Sequence, residues 1–600
     1  MSVPSWLAVG GPLLVAAVVL VVLRVHGLVR AGDAVLVGLP AAGLVGLALG
    51  WWVAGVSLSV ALFWGVLLAL VASVGVVRAL DRPRGAWVGR LRRRLLFGVP
   101  WGSLVSAVGV LGFYLFVQHG LADPYRPLKI PFVSWSYLYP VGVLTAPFAH
   151  AGLGHLTGNL VGTLALAPVA EYAWSHFPTE RGESAFASWR TNPYVRAALF
   201  PVGVVGVGLL TSVFSWGPIV GFSGVVFAFG GFALVRYPIV TVVALSVRGV
   251  VSTVLDALRD PVVVASASPS YGGPWWAGIA IQGHVLGLFL GGVLGALLLA
   301  RRSESERPSA LRLWGGAFVF AVSMSLWIVW WYRGPETYVL YRGLGVVMIL
   351  GVAALLVLAV RSSDRTLLDF EEGALTRRHA AICLAFVPVL VMAGVAVPVN
   401  LVTISEEPLP NEAIHVEGYD VTYVENVPNQ RVSAVPIEAF GETTQVNASG
   451  VVVRNPDRHV WTEAVSRGEL AFYGTSTVKV GGVGWVETIQ AHREGWVAAG
   501  GGPVYRVALR ERGGSWETVF RSDPATADPT VAGRNVTLAV TNTSFRVRVQ
   551  RGNETLDSAP LPAANESVSV GGLRLVREES TLYAVHNETR VQVAHEERYQ

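Results

Sequence analysis

Apolar and polar positions along this 600-residue chain fall into two regimes. Up to about residue 402, long apolar runs recur between short charged or turn-forming segments, and beyond it short alternation takes over. A helix needs about 20 apolar residues to cross a hydrocarbon core. The first regime therefore predicts three spans near 5–23, 34–54 and 57–77, six near 97–117, 150–171, 197–215, 222–238, 240–258 and 276–300, and three near 312–331, 338–360 and 380–402. The first run has no basic n-region and no convincing cleavage site, so it is expected to be a retained span rather than a signal peptide. Arg248 interrupts the run near 240–258, and Asp256, Arg259 and Asp260 crowd its end, which makes its boundaries the least defined. In the second regime, Val536-Thr537-Leu538-Ala539-Val540 and Phe545-Arg546-Val547-Arg548-Val549 alternate with the period of half-buried strands, predicting a β-rich soluble domain over 403–600.

Composition agrees with the first regime. The chain is 52% hydrophobic and 14% charged, with a mean hydropathy of +0.52, which is the profile of a multi-span membrane protein. Charge then orients it. Arg78, Arg82, Arg84, Arg90, Arg92, Arg93 and Arg94, with Asp81 between them, form the densest basic stretch. Cationic loops stay in the cytoplasm, and Arg24, Arg30, Arg301, Arg302, Arg361, Arg365, Arg377 and Arg378 fall on the same side by this span count. An external N-terminus, an external loop at 118–149 with Trp135, Tyr137 and Tyr139 at the interface, and an external C-terminal domain follow. Six Asn-X-Ser/Thr sequons in that domain offer N-glycan acceptors, at Asn447, Asn535, Asn542, Asn553, Asn565 and Asn587. The expected division is 1–94, a three-span region with its basic loop; 95–302, a six-span core; 303–402, three further spans; and 403–600, the external domain.

The net charge of +5 does not point to nucleic acid, because no folded basic module with interleaved aromatics accompanies it. Lys129 and Lys479 are the two lysines among 45 basic side chains. That arginine bias points to a GC-rich genome and a prokaryotic cell membrane. Cys383 is the single cysteine and lies within an apolar run, so no intrachain disulfide forms and the residue reads as packing.

Polar side chains at membrane depth are costly and mark function. His155 and Asn159 are one helical turn apart, share a face and can both donate hydrogen bonds to one point. Two such donors beside a serine are what an oxyanion hole requires. Ser223, in Gly221-Phe222-Ser223-Gly224, is the candidate nucleophile, although a serine among glycines in a membrane helix commonly serves packing. The soluble-hydrolase elbow Gly-X-Ser-X-Gly is absent, since Val225 occupies its last position. His284 lies beside glycines at 283, 287, 291 and 295, a small-residue stripe that lets its helix pack closely. It can take the serine proton and return it to a leaving amine. The segments holding these residues carry no acid apart from Glu171 at a helix end, so a dyad is expected rather than a triad.

Together these motifs resemble the rhomboid intramembrane serine proteases, over roughly residues 95–300. The resemblance rests on His150-X4-His155-X3-Asn159, then Gly221-Phe222-Ser223-Gly224, then Gly283-His284-Val285-Leu286-Gly287. It implies an all-α polytopic core of six helices, a water-filled cavity open to the outside, and a serine that starts a shorter helix. It implies Ser223 as nucleophile and His284 as base. His155 and Asn159 with the Ser223 backbone amide would form the oxyanion hole, and His150 would support it. Gly221, Gly224, Phe227, Gly283, Gly287 and Gly291 belong to the same motifs. Where the family often has a tyrosine four residues after the nucleophile, this chain has Phe227, which keeps the stacking surface and loses the hydroxyl. A Trp-Arg pair common in the family's first external loop is not evident in 118–149. No cofactor is implied, and the implied partners are the bilayer and transmembrane protein substrates.

Three other readings differ in class. A catalytically inactive rhomboid-like protein would bind or sort membrane clients. A metal site would use His150, His155 and His284, but no acidic ligand or His-Glu-X-X-His pattern accompanies them. A transporter would be expected to show an inverted repeat, and the flanking three-span blocks show none that convinces.

Overall fold

The computed structural model describes residues 43, 57–80, 86–178, 182–263, 269–302, 307–334, 337–362, 365–370, 373–431, 438–439, 442–443 and 445–600. The expected spans near 5–23 and 34–54 lie outside these residues, apart from Gly43. In chain order the helices are α1 (Leu58–Leu80), α2 (Ala86–Arg94), α3 (Trp101–Gly112, continued by a π turn Phe113–Val117), α4 (Pro140–Thr145), α5 (Leu153–Trp174), α6 (Pro193–Val213), α7 (Ser223–Leu234), α8 (Pro238–Arg259), α9 (Ile281–Ala300), α10 (Ala310–Ser323), α11 (Arg342–Arg361) and α12 (Arg377–Leu401). Among the described residues, six of these, α5, α6, α8, α9, α11 and α12, are long and apolar enough to cross a membrane.

Every run expected between 97 and 300 is a helix, and the doubtful one is unbroken. Pro238 sits in the first turn of α8, where its missing N–H has no intrahelical role, and Asp260 ends the helix. Arg248 is accommodated because its Nη1 meets the Met324 thioether at 3.2 Å. The run at 312–331 differs from expectation. Its helix ends at Ser323, Ser325 takes a left-handed φ of 61°, and Trp330–Gly334 pairs with Thr337–Leu340 as a hairpin. The tail of the apolar run is instead buried in the bundle through Leu326 and Ile328.

One large cluster unites the bundle, joining Leu156 and Leu166 of α5, Val226 and Phe227 of α7, Leu288 of α9, Phe320 of α10 and Ile349 of α11. At the end opposite His155, the α5 carboxylate of Glu171 is buried and fully used. It accepts from the Gly102 and Ser103 N–H groups and the Ser103 hydroxyl at 2.7–2.8 Å, and lies 2.8 Å from His176 Nε2. A carboxylate at the start of α3 is where the helix dipole favours negative charge.

The C-terminal region is β-rich, as the alternation predicts. One sheet has the order β4-β3-β2-β1, with β1 at Ile414–Val416, β2 at Tyr419–Pro428, β3 at Asn447–Asn455 and β4 at Val460–Ser466. A short helix α13 (Arg467–Tyr473) leads to β5 (Thr475–Gly482), which pairs with β6 (Trp485–Ala498) in an eight-stranded sheet. The alternating runs form neighbouring antiparallel strands of a third sheet, with Val536 opposite Val549 and Leu538 opposite Val547, all buried.

This domain packs on the 118–149 loop. Ile130, Val133 and Trp135 share a buried cluster with Tyr419, Val460, Val478 and Val480. Lys479 Nζ donates to Asp123 Oδ2 at 2.8 Å, and the Leu128 side chain lies against Gly481.

Candidate active site

Three helices bring the candidate residues together, each from its N-terminal end: His155 and Asn159 on α5, Ser223 as the first residue of α7, and His284 on the first turn of α9. The convergence depends on missing side chains. A Cβ on Gly287 would lie 2.0 Å from the Gly224 carbonyl oxygen, and one on Gly291 2.0 Å from that of Ala228. On the facing helix, a Cβ on Gly231 would lie 2.1 Å from the Leu288 oxygen. The α7–α9 seam is thus backbone against backbone, the close approach that small residues permit in membranes.

Across that seam, His284 Nε2 and Ser223 Oγ are 2.8 Å apart. With the serine hydroxyl donating to Nε2, the ring proton sits on Nδ1, a buried atom that has no protein partner. Among the described residues no acidic group bonds this histidine; Phe227 orients it by stacking, with centroids 4.3 Å apart and planes at 17°. Gln282, two residues earlier, donates to the Phe214 carbonyl at 2.8 Å and accepts from the Trp216 N–H at 3.2 Å, tying the start of α9 to the loop before the serine.

Gly221 lets the oxyanion candidates approach. Its φ is +130°, which L side chains rarely adopt, and a Cβ there would lie 2.6 Å from His155 Cε1 and 3.8 Å from Asn159 Nδ2. The Gly221 N–H donates to the Ala146 carbonyl at 2.9 Å, holding this turn. Asn159 Nδ2 is a buried donor without a partner. A buried donor left unpaired costs about 1–3 kcal/mol, so its retention here is consistent with an acceptor that arrives during function. The Ser223 and Gly224 N–H groups open α7, where a helix start leaves donors without intrahelical acceptors.

His150 stands behind this set. Its ring is 5.1 Å from that of His155 in an edge-on arrangement, and its Nδ1 lies 3.1 Å from the Phe148 carbonyl. Gln118 brackets its backbone, donating to the His150 carbonyl at 2.9 Å and accepting from its N–H at 2.7 Å. Among the described residues, no group of three or more His, Cys, Asp or Glu side chains could hold a metal ion.

A cavity of about 370 Å³ opens on the dyad, lined by His155, Asn159, Ser223, Phe227, His284 and Arg248 among others. Arg248 was readable in the sequence as a break in a span, and intramembrane charge was the signal that it faces a functional cavity. Asn400, at the end of α12, gave less warning. Its Nδ2 donates to the Ser215 carbonyl at 2.7 Å, and its own carbonyl accepts from the Tyr137 N–H and the Ser136 hydroxyl at 3.0 Å. It thereby ties the 136–137 segment to the turn that follows α6.

Residues 136–301 match the family model for the Rhomboid domain. The match covers α4 to α9 and begins after α3, the first helix of the expected core. No curated protein and no solved structure matches the chain.

Proposed function

We propose, from the premise that this chain is a rhomboid-family membrane protein, that it is an intramembrane serine endopeptidase cutting transmembrane proteins near the external face. The observation that carries the proposal is the 2.8 Å contact between His284 Nε2 and Ser223 Oγ beside a cavity that His155, Asn159 and Arg248 also line. His284 accepts the serine proton as Oγ attacks the scissile carbonyl, and Oγ becomes the acyl oxygen. The Asn159 amide, the His155 ring and the Ser223 N–H stabilise the oxyanion. The tetrahedral intermediate expels the amine, which takes the proton back from His284. Water then enters, gives a proton to the same nitrogen and attacks the ester; collapse releases the new carboxyl terminus as His284 returns that proton to Oγ. His150 holds His155 from behind, and Phe227 fixes the plane of the His284 ring.

Orientation follows from the helix ends. α5, α7 and α9 all run from the serine end to an end where Arg196, Arg236, Arg301 and Arg302 gather, with Arg302 donating to the Ala173 carbonyl at 2.9 Å. Cationic ends belong in the cytoplasm, so the serine end and the packed β domain face outward, in a prokaryotic cell membrane. In this reading the chain divides into 1–94, 95–302, 303–402 and 403–600. The first and third parts supply the additional spans, and the sequons are open to glycosylation on the outer face.

The test is reconstitution of the full chain with a generic single-span substrate. Ser223→Ala and His284→Ala should each abolish cleavage. Unchanged cleavage in either variant would sink the dyad.

A further inference from the structure

The β domain and the 118–149 loop enclose a second cavity, of about 220 Å³, lined by residues that include Lys129, Ala151, Glu463, Thr477 and Lys479. Two open sheet edges form its outer wall. Among the described residues β4 pairs with β3 alone and β5 with β6 alone, and a sheet edge of this kind is a ready template for another strand. At Ala464 the β4 ladder is interrupted by a bulge between Glu463 and Val465, and Ala464 is exposed.

The two lysines of the chain both stand here. Lys479 is engaged by Asp123. Lys129 is different: it lines the crevice with its side chain exposed to solvent. Glu463 has a contact of its own and carries the opposite charge, so the cationic character belongs to the inner part of the crevice, around Lys129.

That inner part leads to the proposed active site. Ala151 lines the crevice, and its N–H points to His155 Nδ1 at 3.5 Å. His155 in turn lines the cavity of Ser223. A substrate helix must unwind to present its scissile bond, since regular helical hydrogen bonds shield the carbonyl. Chain leaving the site on the external side is therefore extended, the conformation an open sheet edge pairs with.

We propose that the crevice between β4, β5 and the 125–135 loop is a binding site for the extended external segment of the substrate, which adds as a strand and places a carboxylate side chain against Lys129. The inference rests on the protease reading for its route but not for its binding chemistry. The main-chain pairing supplies affinity with little sequence demand, and Lys129 supplies the preference for acidic segments.

The test uses the full chain with Ser223→Ala in detergent, so that binding is read without cleavage. A fluorescent peptide of alternating valine and threonine with two aspartates should bind. Replacing the aspartates by lysine should weaken binding about tenfold or more, and Lys129→Glu should reverse that order while Lys129→Arg keeps it. Replacing alternate residues by proline, which removes the N–H donors, should abolish binding. Equal binding of all peptides, or an order indifferent to Lys129→Glu, would overturn the proposal. In a parallel assay, wild-type protein is given single-span substrates bearing the same external segments. Cleavage without preference counts against the crevice alone, whereas failure to cut any substrate counts against the protease reading and leaves the peptide result to decide the crevice.

Discussion

Two interfaces organise this molecule, and they are built in opposite ways. The α7–α9 seam is backbone on backbone, with Gly287 and Gly291 closing on carbonyl oxygens where a Cβ would approach to 2.0 Å. The contact between the β domain and the 118–149 loop is made by side chains: Leu128, Ile130, Val133 and Trp135 in apolar clusters and the Lys479–Asp123 ion pair at its rim. The seam sets the 2.8 Å distance between His284 Nε2 and Ser223 Oγ, the two atoms proposed to react, and leaves no room for an added Cβ at Gly287 or Gly291. The domain contact is spread over many groups, so each one matters less and the surface between them can stay open.

The largest effect expected from this contrast is at the seam. Gly287→Val should lower cleavage by at least about 100-fold, the cost of a displacement of about 1 Å at reacting groups. Overpacking should also lower stability by about 1–3 kcal/mol, read as an earlier thermal unfolding transition in detergent. If Gly287→Val cleaves normally, the seam does not position the dyad.

Asn159→Ala should be next, and it sharpens the contrast by leaving the seam intact. Loss of one oxyanion donor costs about 100-fold or more in kcat. Because Asn159 Nδ2 has no partner in the resting protein, thermal stability should hardly change. Equal loss of stability and rate would mean that Asn159 is a structural residue.

At the domain contact, Leu128→Ala should weaken docking by about 2 kcal/mol, the low end for a buried leucine. Faster hydrogen exchange in β5 would report it, with the dyad still able to cleave.

The smallest effect is electrostatic. The hydrogen bond from Lys479 holds the Asp123 carboxyl below the usual carboxylate range. A depressed carboxyl contributes stability above its unfolded value, and the contribution is lost as pH falls through the folded one. Both partners are partly exposed, so the increment is below about 1 kcal/mol. Acidification should therefore lower the docking stability of wild-type protein slightly, and Asp123→Asn should abolish that step.

What was legible beforehand follows the same division. Ser223, His284, His155 and Asn159 stand out because polar groups are conspicuous in apolar runs, and the glycine stripe announces its partner by its period. The strands at 536–540 and 545–549 were equally visible, since alternation is local. The domain contact was not, because Lys479 and Asp123 are 356 positions apart and no periodicity links them. The early end of α10 was hidden for another reason. Leu326 and Ile328 are apolar because they fill the bundle, and hydropathy cannot separate that from crossing a membrane.

The central claim is that Ser223 is a nucleophile made reactive by His284. Its most direct measurement is covalent labelling of folded, detergent-solubilised protein by a fluorophosphonate, with the modified residue located by mass spectrometry. The account predicts adduct on Ser223 in the wild type, and none in Ser223→Ala or His284→Ala. An unlabelled wild type, or labelling of Ser223 that persists without His284, would contradict it.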